Sequence, residues 1–166
     1  MADSKQALNR WLEGLNDPWI DDWNDIIRNY IYKDDVLKAL MNIPAKTNIV
    51  EFTDRYFIEA GFTNKMLTDE SVRIIYGMVG APTGTPNVTR NQISFDIYVK
   101  NEELHNIGKD RLVKRTQLIA RRLIDLLTQQ KYNGVYRFFS PYEGDMGTSA
   151  IGYSRYNVSF SFMRTY

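Results

Sequence analysis

The sequence predicts an α+β domain, in which a small antiparallel or mixed sheet of about four strands packs against one helix and follows an N-terminal helical segment. Three observations predict this class. Apolar residues recur at helical spacing through residues 1–60. In four later segments the apolar period changes to two, which is typical of strands with one face on a core. A further amphipathic helix at residues 110–129 separates the second and third of these strands.

The first 60 residues are predicted to form several helices. One begins at Asp17-Pro18, because a carboxylate caps a helix and proline is tolerated at its first position. Its apolar face comprises Trp19, Ile20, Trp23, Ile26, Ile27, Tyr30 and Ile31. Two more helices follow. The first covers residues 34–41, and the second is capped by Thr47 or Asn48 and stops at Gly61.

Four segments alternate apolar and polar residues and are predicted to be strands. They are residues 71–78, 93–100, 132–139 and 155–162. The inward faces of these strands, with Met78 ending the first, should meet the long helix in a core. The side chains that we expect to be largely buried are Phe95, Ile97, Ile119, Leu123, Val158 and Phe160. Residues 61–166 would then form the α+β domain, as one compact unit with the helical segment.

Two long loops interrupt this pattern. The stretch GAPTGTPNVTRN, Gly80 to Asn91, joins the first two strands with twelve residues, where two would suffice. Its two prolines and its glycines argue against a strand interior, and long loops in compact domains are usually functional. The second loop, residues 140–152, is rich in glycine and small polar residues.

Composition excludes several classes of protein. The chain has no Cys, so the sequence excludes a disulfide framework, a thiol nucleophile and a cysteine metal site. The first residues lack the apolar stretch of a signal peptide. No run approaches the roughly 18 apolar residues that a membrane span needs. We therefore expect a cytosolic setting without membrane contact.

No pattern in the sequence predicts catalysis, a cofactor or a metal. The single histidine, His105, has no second His or Cys to complete a zinc site. Gly80 and Gly84 suggest a phosphate-binding loop, but only three residues separate them and no Lys follows. We predict that the chain is not an enzyme.

Charge is unevenly distributed, although the net charge is only +1. Residues 1–60 carry 7 basic and 11 acidic side chains, whereas residues 61–166 carry 14 and 9. This asymmetry is either ordinary variation or the mark of a subunit whose two faces meet unlike surfaces.

The predicted 110–129 helix carries a basic surface, whose residues point mostly away from its apolar stripe. They include Arg111, Lys114, Arg115, Arg121 and Arg122. Such a surface is compatible with nucleic-acid binding, with plain solvation, or with an acidic neighbour in the same or an adjacent subunit. For an acidic neighbour the candidate residues are Asp21, Asp22 and Asp25, the densest acidic stripe in the sequence.

The second half of the chain resembles the neck proteins of tailed bacteriophages, in particular the tail-terminator group. The resemblance covers about residues 62–166 and lies in the order of four segments, TNKMLTDESVRIIYG, RNQISFDIYVKNEELHN, DRLVKRTQLIARRLIDLL and GTSAIGYSRYNVSFSFMR. It implies a small α+β subunit of the virion that assembles as a ring, usually a hexamer. Such a ring caps the tail tube and meets the head connector, and DNA passes through its hole without sequence-specific binding.

The resemblance also gives the two loops a role as arms that reach a neighbouring subunit or the tube and become ordered on contact. The contact residues would be Pro82, Thr83, Gly84, Thr85 and Pro86 in the first loop and Tyr142, Glu143, Asp145 and Met146 in the second. Three alternatives stay open. They are a head-completion or stopper protein of the same neck, a monomeric nucleic-acid-binding domain that uses the basic 109–122 helix, and an enzyme of unrecognised type.

Overall fold

A computed structural model gives the structure of the chain. It describes residues 23–60, 70–82, 88–105, 107, 113–128, 138–147 and 151–165. Helices pack on a five-stranded mixed sheet, so the predicted α+β class is confirmed, with five strands where about four were expected.

The described residues form four α- or π-helical segments and one 3₁₀ turn, Asn101–Glu103. The four segments are α1 (residues 23–31, in which Ile27–Ile31 is π-helical), α2 (Asp35–Leu40), α3 (Ile49–Glu51, continued by the π-helical Phe52–Tyr56) and α4 (Arg115–Thr128). Polar side chains cap the start of two of them, at Asn48, which is a predicted cap, and at Asp34, which is not. The Asp34 carboxylate accepts a hydrogen bond from the backbone N–H of Leu37 at 2.6 Å, and the Asn48 side chain accepts one from Glu51 at 2.9 Å.

The strands are β1 (Phe57–Glu59), β2 (Val72–Pro82), β3 (Val88–Lys100), β4 (Phe139–Asp145) and β5 (Tyr153–Thr165), in the sheet order β1-β2-β3-β5-β4. β1 runs parallel to β2, and the other neighbours are antiparallel. β1 is the strand that the sequence did not predict, since these residues were assigned to a helix ending at Gly61. Phe57 and Ile58 fit either period, and pairing of Phe57 with Ile74 decides for the strand.

The predicted twelve-residue loop is mostly strand, so this prediction is wrong. Gly80 pairs with Asn91 and Pro82 with Thr89, which leaves only residues 83–87, including the predicted contacts from Thr83 to Pro86, outside the described part of the hairpin. The backbone oxygen of Tyr76 accepts a hydrogen bond from the Ala60 N–H, so the backbone groups of Tyr76 point to the side of β2 that is away from β3. The backbone groups of every second residue from Tyr76 to Pro82 point to that same side. The missing N–H of Pro82 therefore removes no hydrogen bond to β3, and the strand tolerates the proline.

The second predicted loop is also partly strand. Tyr142, Glu143 and Asp145 belong to β4, and Met146 follows it directly. Of the predicted strand at 132–139, residues 132–137 lie outside the described part, and the described strand begins at Phe139. Pro141 and a glycine make β4 resemble a loop in sequence, but an edge strand tolerates both residue types. The pairing register with β5 shifts between Phe139 and Tyr142, which is the irregularity of a β-bulge.

One apolar core joins the sheet to the helices. Phe95, Ile97, Ile119, Leu123, Val158 and Phe160 are all buried as predicted. The Phe95 and Phe160 rings lie 5.9 Å apart, and Trp23 of α1 lies 5.5 Å from the Tyr76 ring. The described helical segment therefore shares its core with the sheet. Met78 is an exception to the predicted inward face, because it is 37% exposed.

We expect Phe160→Ala to lower the free energy of unfolding by about 3–5 kcal/mol, because the cavity would lie under the central strands. Urea denaturation measures this change. Tyr142→Ala is the matched control, since this aromatic ring is 68% exposed and its removal should change stability by less than about 0.5 kcal/mol. Equal effects of the two substitutions would contradict the assignment of strand faces.

Candidate assembly surfaces

Arg122 of α4 is paired within the subunit. Its guanidinium donates to both carboxylate oxygens of Asp34, at 3.0 and 2.5 Å. Burial of Asp34 would raise its pKa, but the hydrogen bonds from Arg122 and from the Leu37 N–H outweigh that effect and hold the pKa below its ordinary value. Asp34 thus caps α2 and fastens it to α4 at the same time.

Arg115 is buried, with 4% of the residue exposed. It donates to the backbone oxygen of Leu40 at 3.2 Å and pairs with Glu103 at 3.3 Å. This geometry ties the start of α4 to the end of α2 and to the 3₁₀ turn Asn101–Glu103. The prediction that Arg115 lies on a polar assembly face is therefore wrong, because the side chain is buried and bonded within the subunit.

Lys114, which directly precedes α4, and Arg121 within it also have acidic partners. Lys114 pairs with Asp145 at 2.8 Å, and this bond together with one from the Gly147 N–H lowers the pKa of Asp145. Arg121 is exposed and pairs with Asp125 one turn along the helix at 3.3 Å. These cations thus pair with acidic side chains of the same subunit, which is one of the predicted alternatives, but the acidic residues are not the predicted ones.

The acidic residues that pair with this helix in the structure are not the predicted ones. Asp25 is exposed on α1. Asp21, Asp22 and Arg111 lie outside the described residues. The partner Asp34 stands 88 positions from Arg122 in the chain, so no local pattern in the sequence could reveal the pair.

β4 is an edge strand with an exposed apolar surface. In the described sheet its only neighbour is β5. Tyr142 and Met146 are 68% and 52% exposed, and Ile151, between β4 and β5, is fully exposed. The N–H of Met146 donates to Arg155 of β5. By strand alternation, the backbone groups of Glu143 and Asp145 therefore point away from β5, toward the open edge.

The three central strands extend past both edge strands. β1 ends opposite Tyr76, and β4 begins opposite Ser161. Beyond these points the ladder continues through residues 80–82, 88–91 and 162–165, which we call the arm. Phe162 is buried, and its ring lies 5.5 Å from that of Phe138, so the base of the arm is anchored on the core.

A polar network occupies the sheet face opposite α4, and sequence reasoning missed it. Arg155 pairs with Asp96 at 2.7 Å, and the Asn157 amide donates to Asp96 and to Ser94, both at 2.8 Å. Strand alternation had marked these residues as solvent-facing, and they are instead held to each other across β3 and β5. The network fixes the register of these two strands.

A cleft of about 310 Å³ opens beside β1. It is lined by Asn24, Ile27, Arg28, Ile49, Val50, Thr53, Asp54, Phe57, Ile58, Glu59 and Tyr76. The Thr53 hydroxyl donates to backbone oxygens of its own helix, and burial raises the pKa of Tyr76 to about 12, which leaves the phenol protonated at neutral pH. These two groups are thus unsuited to act as nucleophile and base.

Within the part of the chain that the structure describes, no cluster of three His, Cys, Asp or Glu side chains could hold a metal ion. His105 is exposed. Among the same residues, no helix combines the length and the apolar character that crossing a membrane requires. Comparison of the sequence with protein-family models gives no match, and comparison with curated proteins gives none either.

The ion pair of Asp34 generates a prediction about pH. We expect Asp34→Asn to cost about 1–2 kcal/mol at pH 7, because it removes the charge but keeps an oxygen for the cap. Since the folded pKa of Asp34 is lowered, its stabilisation is complete above the unfolded value of about 3.9 and is lost as pH falls through the folded pKa. The difference between parent and variant should therefore shrink below about pH 4.

Urea titrations between pH 7 and about pH 2.5 measure this difference. Asp34→Ala serves as the comparison, because it also removes the cap and should keep a residual cost of about 1 kcal/mol at low pH. A cost of Asp34→Asn that does not change with pH would show that the charge of Asp34 does not stabilise the fold.

Two adjacent arginines should differ in their effect on stability. Arg122→Glu places a carboxylate against the half-buried Asp34 and should destabilise the fold by about 2 kcal/mol or more. Arg121→Glu changes a largely exposed residue and should cost less than about 0.5–1 kcal/mol. Thermal unfolding of both variants checks the order, and the reverse order would contradict the pairing seen in the structure.

Proposed function

We propose that this chain is a structural protein of the bacteriophage head–tail neck. It would form a homo-oligomeric ring, of hexameric type, that caps the tail tube as a tail terminator and joins it to the head connector. The double-stranded genome would pass through the ring without sequence-specific contact. The protein would act in the virion after assembling in the host cytoplasm, without catalysis or a cofactor.

The observation that carries this proposal is the arm beside an exposed edge strand. A subunit that functions alone gains nothing from strands that outrun their neighbours, or from exposed Tyr142 and Met146 on an edge that is unpaired within the described part of the sheet. A subunit of an assembly uses such features as contacts. The α+β architecture and the resemblance of residues 62–166 to tail terminators support the same conclusion.

The pairing of α4 weakens the alternative of a nucleic-acid-binding domain. That alternative needs cations that are available to phosphate groups. Each described cation from Lys114, just before α4, to Arg122 already has an acidic partner within the subunit. Binding a phosphate backbone through this helix would require breaking internal pairs, one of which is buried.

The proposal is tested with the tail tube protein of the same virus. Added to tubes that are still growing, the purified chain should stop elongation at about one ring per tube end, as seen by electron microscopy. A variant in which Asn-Gly replaces residues 81–90 joins the paired residues Gly80 and Asn91 by a two-residue turn. It should lose capping, while its stability stays within about 1 kcal/mol of the parent.

The matched control shortens only the turn. Replacing residues 83–87 by two glycines keeps the paired part of the arm and should keep capping. Tubes that grow equally long with and without the parent chain would overturn the proposed terminator role. Capping that survives removal of the arm would show that the arm is not the contact.

A further inference from the structure

We infer that β4 of one subunit binds the arm of a second copy, which lies alongside β4 as an added strand. This inference deepens the proposed function, on which it rests for the biological setting, by naming the two surfaces that join neighbouring subunits. The contact is heterologous, because it joins one surface to a different surface of the next copy.

The β4 side of the contact is acidic and apolar. Residues 139–151 carry Glu143 and Asp145 and no basic residue. Lys114 pairs with Asp145, whereas Glu143 is hydrogen-bonded only to the neutral Tyr156 hydroxyl among the interactions seen for it, so its negative charge is available to a partner. Tyr142 and Met146 supply exposed apolar area on the opposite face of the strand. The outward N–H and C=O groups of Glu143 and Asp145 offer the hydrogen bonds that an added strand uses.

The arm side of the contact has the opposite charge. Residues 80–82, 88–91 and 162–165 contain two cations, Arg90 and Arg164, and no acidic residue. Arg90 occupies the register position opposite Ala81 and Met163, and Arg164 the one opposite Thr89. The charges of the two surfaces are therefore complementary, which favours their approach over that of like surfaces.

The two surfaces cannot meet within one subunit. Asp145 pairs with Tyr156 of β5, whereas the arm includes Arg164 of the same strand. Eight residues of extended chain separate these positions, which is roughly 26 Å, and the arm runs away from the acidic end of β4. The occupant of β4 is thus the arm of another copy, and repetition of such a contact yields a ring or a filament.

A charge-swap cycle tests the contact. The association constant of the purified chain is measured by analytical ultracentrifugation over a range of concentrations and salt. Glu143→Arg and Arg90→Glu should each weaken association about tenfold, and the double variant should return to within about threefold of the parent. Glu102→Arg, a reversal at an exposed acidic residue of the 3₁₀ turn, is the matched control and should have little effect.

The inference is overturned if the single reversals leave association unchanged, or if the double variant is as weak as the weaker single variant. A parent chain that stays monomeric at concentrations on the order of 1 mM overturns it as well. Thermal unfolding of each variant shows whether a loss of association reflects a loss of fold.

Cross-linking tests the same contact without charge reversal, since the chain has no natural Cys. Chains with Tyr142→Cys and with Ala81→Cys are mixed and oxidised. The mixed dimer should form about tenfold faster than with Val50→Cys in place of Tyr142→Cys, because Val50 is exposed on α3, away from β4. Equal rates for the two mixtures contradict the inference.

Failure of the contact and failure of the proposed function are distinguishable. A chain that caps tubes but shows no coupling in the cycle keeps its function and loses this interface. A chain that shows the coupling but does not cap tubes keeps the interface and loses the terminator role.

Discussion

The pairing of β3 with β5 is the constraint on which the rest of the structure depends. Thirteen successive pairs, from Val88 with Thr165 to Lys100 with Tyr153, run the full length of both strands. One face of this ladder holds Phe95, Val158 and Phe160 in the core, and the other holds the network of Asp96, Arg155 and Asn157. A slip of one residue would exchange these two faces, so apolar burial and polar pairing select the same register.

Three basic side chains in or just before α4 bond to other elements of the same subunit. Arg122 reaches the cap of α2, Arg115 reaches the end of the same helix, and Lys114 reaches the end of β4. Loss of one partner from such pairs would leave a charge poorly solvated. The basic excess in residues 61–166 is therefore used in part for internal cohesion, which leaves the surface contacts to other residues.

Elements with a long, regular pattern could be predicted from the sequence, and elements decided by distant pairing could not. The period of two located β3 and β5, and the cap at Asn48 located its helix, because these signals are local. β1 has three residues and becomes a strand only through Ile74 and its neighbours. The segments around Pro82 and Pro141 look like loops by composition, yet each proline lies where the sheet tolerates a strand without a donor.

The position of a residue in the sheet indicates which surface it lies on better than its residue type does. The resemblance points to Glu143 as a contact residue, whereas no pattern in the sequence points to Arg90. The register puts Glu143 on the edge strand opposite Val158, and puts Arg90 on the arm opposite Met163, which is five residues farther along β5. In the contact that we propose between copies, these charges of opposite sign would meet, although one subunit holds them apart along its sheet.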